Sequence, residues 1–271
     1  MLASVVIPTK DKISRLASVL KGLEPQMNDN VEVVIVFDGC NEETVTSYKR
    51  MSWNFTPKAV FLSENVGRAK ARNYGIREAT GDIIIFIDDD RIPDQNFIRF
   101  HIEAHSKPNM VVLGRRSDVS LEEEQILTLQ HSLTAHQKLK DYAVTEKSYI
   151  PFRHPRNIFR WMYCFTGNLS VDRTLLNAIG GFDENFVKWG HEDVDLGIRL
   201  YLKGAPFIYR DSIINYHLVH ERSYNERNQE SLDNLKYLRS KYKKCPLVSL
   251  ILLILNTKFK YIGTRKFLKE K

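Results

Sequence analysis

Five apolar residues in a row, Ile83 to Ile87, run directly into three consecutive carboxylates, Asp88, Asp89 and Asp90. An unbroken apolar run of this length, introduced by Gly81 and closed by Pro93, predicts a strand buried on both faces, as in a mostly parallel sheet. The carboxyl ends of such strands are where open α/β sheets bind their ligands. Three adjacent anions repel one another unless water or a cation separates them. Oxygen donors suit a hard divalent ion such as Mg²⁺ or Mn²⁺, above all when substrate phosphates complete the shell. An acidic turn after a buried strand would give the same string of residues, so the triplet alone does not decide.

The preceding chain carries the same signature. Ser4–Thr9 reads as a first strand, and Ile13, Leu16, Ala17, Leu20 and Leu23 recur at helical spacing. Val31–Phe37 is a second buried strand that ends on Asp38 and Gly39. Asn41–Tyr48 opens a helix, and Ala59–Leu62 is a short third strand. The stretch Asn65–Gly75 leads into another helix, which Gly81 is placed to end as a C′ residue. Strands alternating with helices predict an α/β domain with right-handed crossovers. Neither the G-x-G-x-x-G of a dinucleotide site nor the G-x-x-x-x-G-K-[ST] of a phosphate loop occurs here. Phosphate would therefore be held by metal and basic side chains, not by a glycine cradle.

Charge is divided along the chain. Eleven Lys/Arg and one acid follow from Lys236 onward, so the +7 of the whole chain less +10 for this tail leaves −3 for residues 1–235. Without a nucleic-acid motif, such a tail points to an anionic membrane surface in preference to nucleic acid. The tail holds an apolar run of nine residues, Leu247 to Leu255. A bilayer span needs roughly 20 residues, so the run either packs on the domain or lies in a membrane interface between its basic flanks. Cys40, Cys164 and Cys245 are too far apart for a zinc spacing and odd in number, which fits a reducing, cytoplasmic setting. The N-terminus enters a strand by Leu2 and shows no secretion signal.

Downstream, Val111–Gly114 reads as a strand, and residues 121–160 read as charged helices and loops with no assigned chemistry. His131, His136 and His154 are expected to be surface or packing histidines. The blocks Phe165–Val171, Leu175–Asp183 and Trp189–Asp195 are more informative. Val194, Ile198 and Tyr201 follow at helical spacing, placing Glu192 and Asp193 in a first turn, where the macrodipole favours ionised carboxylates. There they can cap the helix or supply a general base. Trp189–Gly190 just ahead looks like an aromatic platform on a flexible loop. Pro206–Tyr209 is a short strand. His217 and His220 lie three apart, so on an extended segment they point opposite ways and one at most joins a site.

Six blocks in order, Val5-Val-Ile-Pro-Thr9, Val36-Phe-Asp-Gly39, Asn65-x-Gly-x-x-x-Ala-Arg-Asn-x-Gly75, Phe86-Ile-Asp-Asp-Asp90, Gly180-Gly-Phe-Asp183 and Trp189-Gly-x-Glu-Asp-x-Asp195, resemble the GT-A glycosyltransferases of family 2. The C-terminal half is similar to the galactosyltransferase and N-acetylgalactosaminyltransferase group. The resemblance implies a GT-A fold: a Rossmann-like, mostly parallel central sheet flanked by helices. One domain over residues 1–225 would join a nucleotide-sugar half (1–115) to an acceptor half (116–225), with 226–271 as a helical tail. It implies that Pro8, Thr9, Asp11, Asp38, Asn65, Gly67, Lys70 and Arg72 contact a UDP-sugar, with Asp89 and Trp189 alongside. Asp88 and Asp90 would take the outer positions of the family's D-x-D and hold Mn²⁺ or Mg²⁺, with His217 or His220 as a further ligand. Asp193 would be the catalytic base, assisted by Glu192.

The implied activity is metal-dependent, inverting transfer of a hexose or N-acetylhexosamine to a hydroxyl of a glycan or lipid-linked acceptor, in the cytoplasm or peripherally on the inner membrane face. The setting would be cell-surface polysaccharide synthesis. Two other readings compete. A sugar nucleotidyltransferase would want a glycine-rich, basic loop where Pro8-Thr-Lys-Asp11 stands. A non-catalytic sugar-binding module would have no use for both acidic clusters.

Overall fold

The first strand, β1 (Ala3–Thr9), is buried at every position but Pro8, because it lies between two parallel neighbours. It pairs with β2 (Val31–Asp38) on one side and β4 (Ile83–Phe86) on the other, and β3 (Lys58–Leu62) adds in parallel outside β2. These strands describe the apolar runs of the sequence as the interior of a parallel block. The structure is a computed structural model and describes residues 1–145, 159–220 and 224–252.

Beyond β4 the sheet changes character. β8 (Leu169–Asp172) runs antiparallel to β4, and β6 (Val111–Val119) antiparallel to β8. β9 (Phe207–Leu218) is parallel to β6, and the short β5 (Arg91–Pro93) antiparallel to β9. The order is β3-β2-β1-β4-β8-β6-β9-β5, with β7 (Val144–Thr145) attached to β6. The expected α/β sheet is thus parallel in its first half and mixed in its second.

Helices cover the sheet by two different means. In α1 (Ile13–Leu23), Leu16, Val19, Leu20 and Leu23 form a buried stripe in the main apolar cluster. In α3 (Arg68–Glu78), the buried face is built instead from Ala69, Ala71, Arg72, Asn73, Gly75 and Ile76. A Cβ on Gly75 would stand 2.3 Å from Val6 Cγ1, so small residues there let the helix lie directly on β1. α2 (Glu42–Arg50) begins on an Asn41 side chain that accepts from Thr44 N. The remaining helices are α4 (Phe97–Ala104), α5 (Glu123–Leu129), α6 (Leu133–Tyr142), α7 (Arg173–Ala178), α8 (Glu192–Leu202) and α9 (Tyr224–Lys241).

Two local expectations are corrected. β9 runs for 12 residues, not the four of Pro206–Tyr209. Exposed Arg210, Asp211 and Ser212 interrupt its apolar pattern, where the pairing with β6 slips between Gly114 and Arg115, and a bulge of this kind hides a strand's period. Gly81 is not a helix C′ residue. α3 ends at Glu78 with an extended Ala79, and Gly81 is small because a Cβ would meet Ser4 Oγ at 2.5 Å.

Of the histidines set aside as packing residues, His136 accepts that role through Leu129 O at 2.7 Å; His154 lies outside the described residues. The chain divides into two compact units, residues 1–187 with 192–222, and residues 188–191 with 223–271. In the second unit Asn234 Nδ2 donates to Lys188 O and Gly190 O at 3.0 and 2.7 Å. Residues 246–252 are helical, with Val248, Ile251 and Leu252 buried and Leu247 and Leu250 exposed. Among the described residues no helix is long and apolar enough to cross a membrane.

Candidate active site

The three carboxylates do not share one task. A turn closed by Arg91 N–H on Asp88 O at 3.1 Å sends the three side chains in different directions. Asp88 faces α3, where Arg72 Nη2 donates to its Oδ1 at 2.9 Å, while its Oδ2 is 3.9 Å from Arg91 Nε. Burial would raise its pKa, but the Arg72 and Arg68 guanidiniums outweigh that and hold it at about 2. Asp89 accepts from Thr9 Oγ1 at 2.9 Å and from Lys12 Nζ at 3.3 Å. Burial, with Asp90 beside it, outweighs Lys12 and pushes its pKa up to about 6. Asp90 Oδ2 lies 2.8 Å from Lys12 Nζ. Its burial is overcome by Lys12 and then His217, which keep it well below the usual carboxylate range.

Both histidines converge on Asp90. His217 is the penultimate residue of β9 and pairs with Arg91 of β5 on one side and Asp118 of β6 on the other. Its Nε2 is 3.9 Å from Asp90 Oδ2, and His220 Nδ1 is 3.7 Å from the same oxygen. The limit of one histidine per site applies to an extended segment, and this segment is not a strand as far as His220. β9 ends at Leu218, so His220 stands past the strand and alternation no longer constrains it. Leu218 N–H donates to Asp90 O at 2.9 Å and Arg15 Nη1 to Leu218 O at 2.8 Å, which fixes this corner against the triplet.

Asp90, His217 and His220 offer donor atoms that all lie within 4.8 Å of one another. Two imidazoles and a carboxylate are a sound donor set for Mn²⁺ or another divalent ion. His217 Nδ1 is 2.8 Å from Asp118 Oδ1. A proton held on that nitrogen leaves Nε2 as the lone pair turned to Asp90, the orientation an outer carboxylate gives a metal-binding histidine. The residues therefore fit a metal. Asp88, expected beside Asp90 as a ligand, is turned to Arg72 and Arg91 and is not one of these three residues.

The second acidic pair sits where α8 begins. Glu192 Oε1 accepts from Arg72 Nη1 at 3.1 Å, so one buried guanidinium joins Asp88 to Glu192. Glu192 Oε2 is buried without a hydrogen-bond partner among the described residues. Asp193 Oδ1 accepts its neighbour's backbone N–H, from Val194, at 2.8 Å, the local capping contact. Burial first, and then the Glu192 charge, outweigh Arg72 and push the Asp193 pKa up to about 7. A carboxylate poised near neutrality is suited to general-base work. Gly197 of α8 is required by packing, since a Cβ there would lie 1.9 Å from Trp161 O.

The residues expected around a nucleotide serve partly as scaffolding. Asp38 Oδ1 and Oδ2 accept the backbone N–H groups of Val66 and Gly67 at 2.7 and 3.2 Å, fixing the loop that starts α3. Asp11, at φ +53°, accepts from Asn41 N at 2.8 Å and so ties the end of β1 to α2. Asn65 accepts from Gly67 N at 3.0 Å, and Lys70 is half-buried on α3. Pro8 and Thr9 end β1, with Thr9 given to Asp89. Arg72, expected in the nucleotide pocket, is 1% exposed and occupied by Asp88 and Glu192. Trp189 belongs to the second unit, where its backbone N–H donates to Glu230 Oε2 at 3.4 Å.

Sequence reading missed three charged neighbours: Lys12, Arg68 and Asp118. Lys12 and Arg68 stand at the starts of α1 and α3, next to motif residues already singled out. Nothing in the sequence marks Asp118, which is placed by strand register alone.

A parallel block ending in Asp38 and the Asp triplet, followed by a mixed block with Glu192–Asp193, now has a counterpart. Residues 4–176 match the family described as glycosyl transferase family 2. The chain belongs to glycosyltransferase family 2. Residues 146–221 of this glycosyltransferase also match the N-terminal domain of galactosyltransferase, in keeping with the resemblance of the C-terminal half. It is 29% identical to the uncharacterized glycosyltransferase YfnE of Bacillus subtilis, covering 89% of this chain and 71% of that one. It is 30% identical to the chondroitin synthase of Pasteurella multocida, over 84% of this chain but 26% of the relative. For the validoxylamine A glucosyltransferase of Streptomyces hygroscopicus subsp. jinggangensis the identity is 29%, over 85% and 58%. The chain thus spans little more than half, or much less, of some curated relatives. Among solved structures, S. aureus TarS 1-349 in complex with UDP-GlcNAc superposes with a TM-score of 0.64 at 17% identity, over 89% of this chain and 66% of that one. The fold is the expected GT-A arrangement.

Proposed function

We propose that this glycosyltransferase moves a hexose or N-acetylhexosamine from a UDP-sugar to a hydroxyl of a glycan or lipid-linked acceptor, with inversion and with a divalent metal. The observation that carries the reading is the convergence of Asp90, His217 and His220 on one point, joined through Asp88, Arg72 and Glu192 to a carboxylate held near neutrality. Asp90, His217 and His220 would hold Mn²⁺ or Mg²⁺. When bound, such an ion supplies Lewis-acid stabilisation of the charge that gathers on a departing diphosphate.

The protein's own groups account for the rest. Asp193, ionised, takes the proton of the acceptor hydroxyl as that oxygen bonds to the anomeric carbon. The bond from that carbon to the diphosphate oxygen breaks on the opposite face, and its electron pair leaves with UDP, so configuration inverts. The anomeric carbon passes through an oxocarbenium-like state as the bond to the diphosphate breaks. Arg72 holds Glu192 in place through its Nη1 contact to Oε1. The names of the relatives support sugar transfer, since a glucosyltransferase and a chondroitin synthase are among them. A mannosyltransferase from Pyrobaculum calidifontis in complex with GDP-Man and Mn²⁺ shares the fold at a TM-score of 0.61 and 19% identity, which favours including GDP-sugars in any screen. The basic tail from Lys236, with Leu247 and Leu250 exposed, supports a role at an anionic membrane surface in surface-polysaccharide synthesis.

The test is a screen of UDP- and GDP-hexoses and N-acetylhexosamines with Mn²⁺, scored by nucleotide release with and without oligosaccharide acceptors. UDP release stimulated by an acceptor and abolished by chelation is expected. No turnover with any UDP-sugar would sink the proposal, and equal turnover in chelator would remove the metal from it.

A further inference from the structure

Asp90 Oδ2 faces two cation positions at once. It is 2.8 Å from the Lys12 ammonium and also lies 3.9 and 3.7 Å from His217 Nε2 and His220 Nδ1. Lys12 reaches across to Asp89 Oδ1 as well, at 3.3 Å, and the other oxygen of Asp89 already accepts from Thr9. Lys12 is therefore a neutralising partner of Asp89 and Asp90. A divalent ion seated among Asp90, His217 and His220 would sit against that ammonium. Two like charges a few ångströms apart in a partly buried site repel strongly, so the two compete for the same oxygen.

Lysine is suited to yielding, because its charge is a compact ammonium on a flexible four-carbon stem. A second cation waits nearby. Arg68, in the first turn of α3, has no hydrogen bond or ion pair among the described residues. Its guanidinium nevertheless lies in the field of Asp88, Glu192, Asp89 and Asp90, which outweigh its burial and strengthen its hold on its proton. With the glycine cradle of a phosphate loop missing, Lys12 and Arg68 are basic groups beside the acidic turn.

We propose that Lys12 is the resident counter-ion of the metal site, giving up Asp90 when a divalent ion binds and passing, with Arg68, to the diphosphate of the donor. This rests on the metal and nucleotide-sugar reading given above. It makes Lys12 a binding residue whose two duties oppose one another: in the resting site it competes with the metal, and in the loaded site it helps the nucleotide.

The experiment is calorimetric or electron-paramagnetic titration of the full chain and of Lys12→Met, with Lys12→Gln as a variant that keeps a hydrogen-bond donor without the charge. Mn²⁺ alone should bind about tenfold more tightly to both variants, through loss of the competing charge. UDP, titrated at saturating Mn²⁺, should bind about tenfold more weakly, through loss of a charge-assisted contact, whereas UMP should change less. Opposite movements are the signature, since a purely structural lysine would weaken both ligands. Mn²⁺ affinity unchanged or weakened in the two variants overturns the proposal, as does unchanged UDP affinity. If instead the parent chain binds no Mn²⁺, or Asp90→Asn binds it equally well, the metal reading itself has failed.

Discussion

Arg72 Nη1 lies 3.1 Å from Glu192 Oε1, across 120 residues of sequence, and the same guanidinium reaches Asp88 at 2.9 Å. One side chain therefore connects the acidic turn after β4 with the acidic first turn of α8. Removing it leaves Glu192 buried without this partner, and breaking a buried pair from one side costs roughly 3–5 kcal/mol. Arg72→Met is expected to lower stability by about that much in a denaturant titration. Adding Glu192→Gln should restore part of the loss, because the charge left behind is then gone. Equal stability of Arg72→Met and the parent would show that the bridge is not a structural member.

Turnover should depend on the state of Asp193. Its pKa, pushed up to about 7 by burial and by Glu192, leaves the carboxyl largely protonated below that pH. A base must be ionised, so kcat is expected to rise with pH through about 7 and then level off. Asp193→Asn should abolish transfer while leaving Mn²⁺ and UDP binding intact. Glu192→Gln removes the neighbouring negative charge and should move the acid limb to lower pH in whatever activity remains. A flat profile between pH 6 and 8, or turnover in Asp193→Asn, would take the base role away from this residue.

Much of this site could be read from the chain, and the parts that could not have physical reasons. The apolar runs ending at Thr9, Asp38 and Asp88 announce a parallel block, because a strand buried on both faces must be apolar throughout. Glu192 and Asp193 were legible as a helix start because α8 is amphipathic behind them. The pairing of Asp90 with both His217 and His220 was not, since it depends on β9 stopping at Leu218 and on Asp118 and Arg91 flanking it through strand register. The bulge that exposes Arg210 to Ser212 likewise erases the period that would have revealed β9. Arg72 sits inside a recognisable motif, but nothing in that motif says that its partners are Asp88 and Glu192.

Asp118 provides a test of the histidine geometry that leaves every proposed ligand in the chain. Its Oδ1 lies 2.8 Å from His217 Nδ1, on the side of the ring away from Asp90. Asp118→Ala leaves the ring without the partner that keeps the proton on Nδ1. Loss of such an outer carboxylate typically costs 10–100-fold in metal affinity, and Asp118→Ala is expected to weaken Mn²⁺ binding by roughly tenfold. Asp118→Asn, which can still face the ring with an oxygen, should fall between parent and alanine. Undiminished Mn²⁺ affinity in Asp118→Ala would remove His217 Nε2 from the metal site.

The core carries its own pH dependence. His101 is fully buried and bridges Ser170 Oγ at 2.8 Å and Asn168 Oδ1 at 3.1 Å; Asn168 in turn donates to Arg115 O and Ile213 O, on the two sides of the β6–β9 slip. Burial first, and then the neighbouring His105, push the His101 pKa down to about 3. The unfolded chain takes up a proton near pH 6.5, which the folded chain refuses until far lower pH. This contribution to stability is complete above about pH 6.5 and is lost as pH falls towards 3, by up to ~1.4 kcal/mol per pH unit. Asp89 and Asp193 work in the opposite sense, because their raised pKa values favour the folded state as pH falls. The informative quantity is therefore the difference between parent and His101→Gln, which keeps amide partners for Ser170 and Asn168 but does not titrate. In denaturant titrations that difference should shift in favour of His101→Gln by about 2 kcal/mol between pH 7 and pH 5. A constant difference over that interval would mean that His101 is not held neutral in the fold.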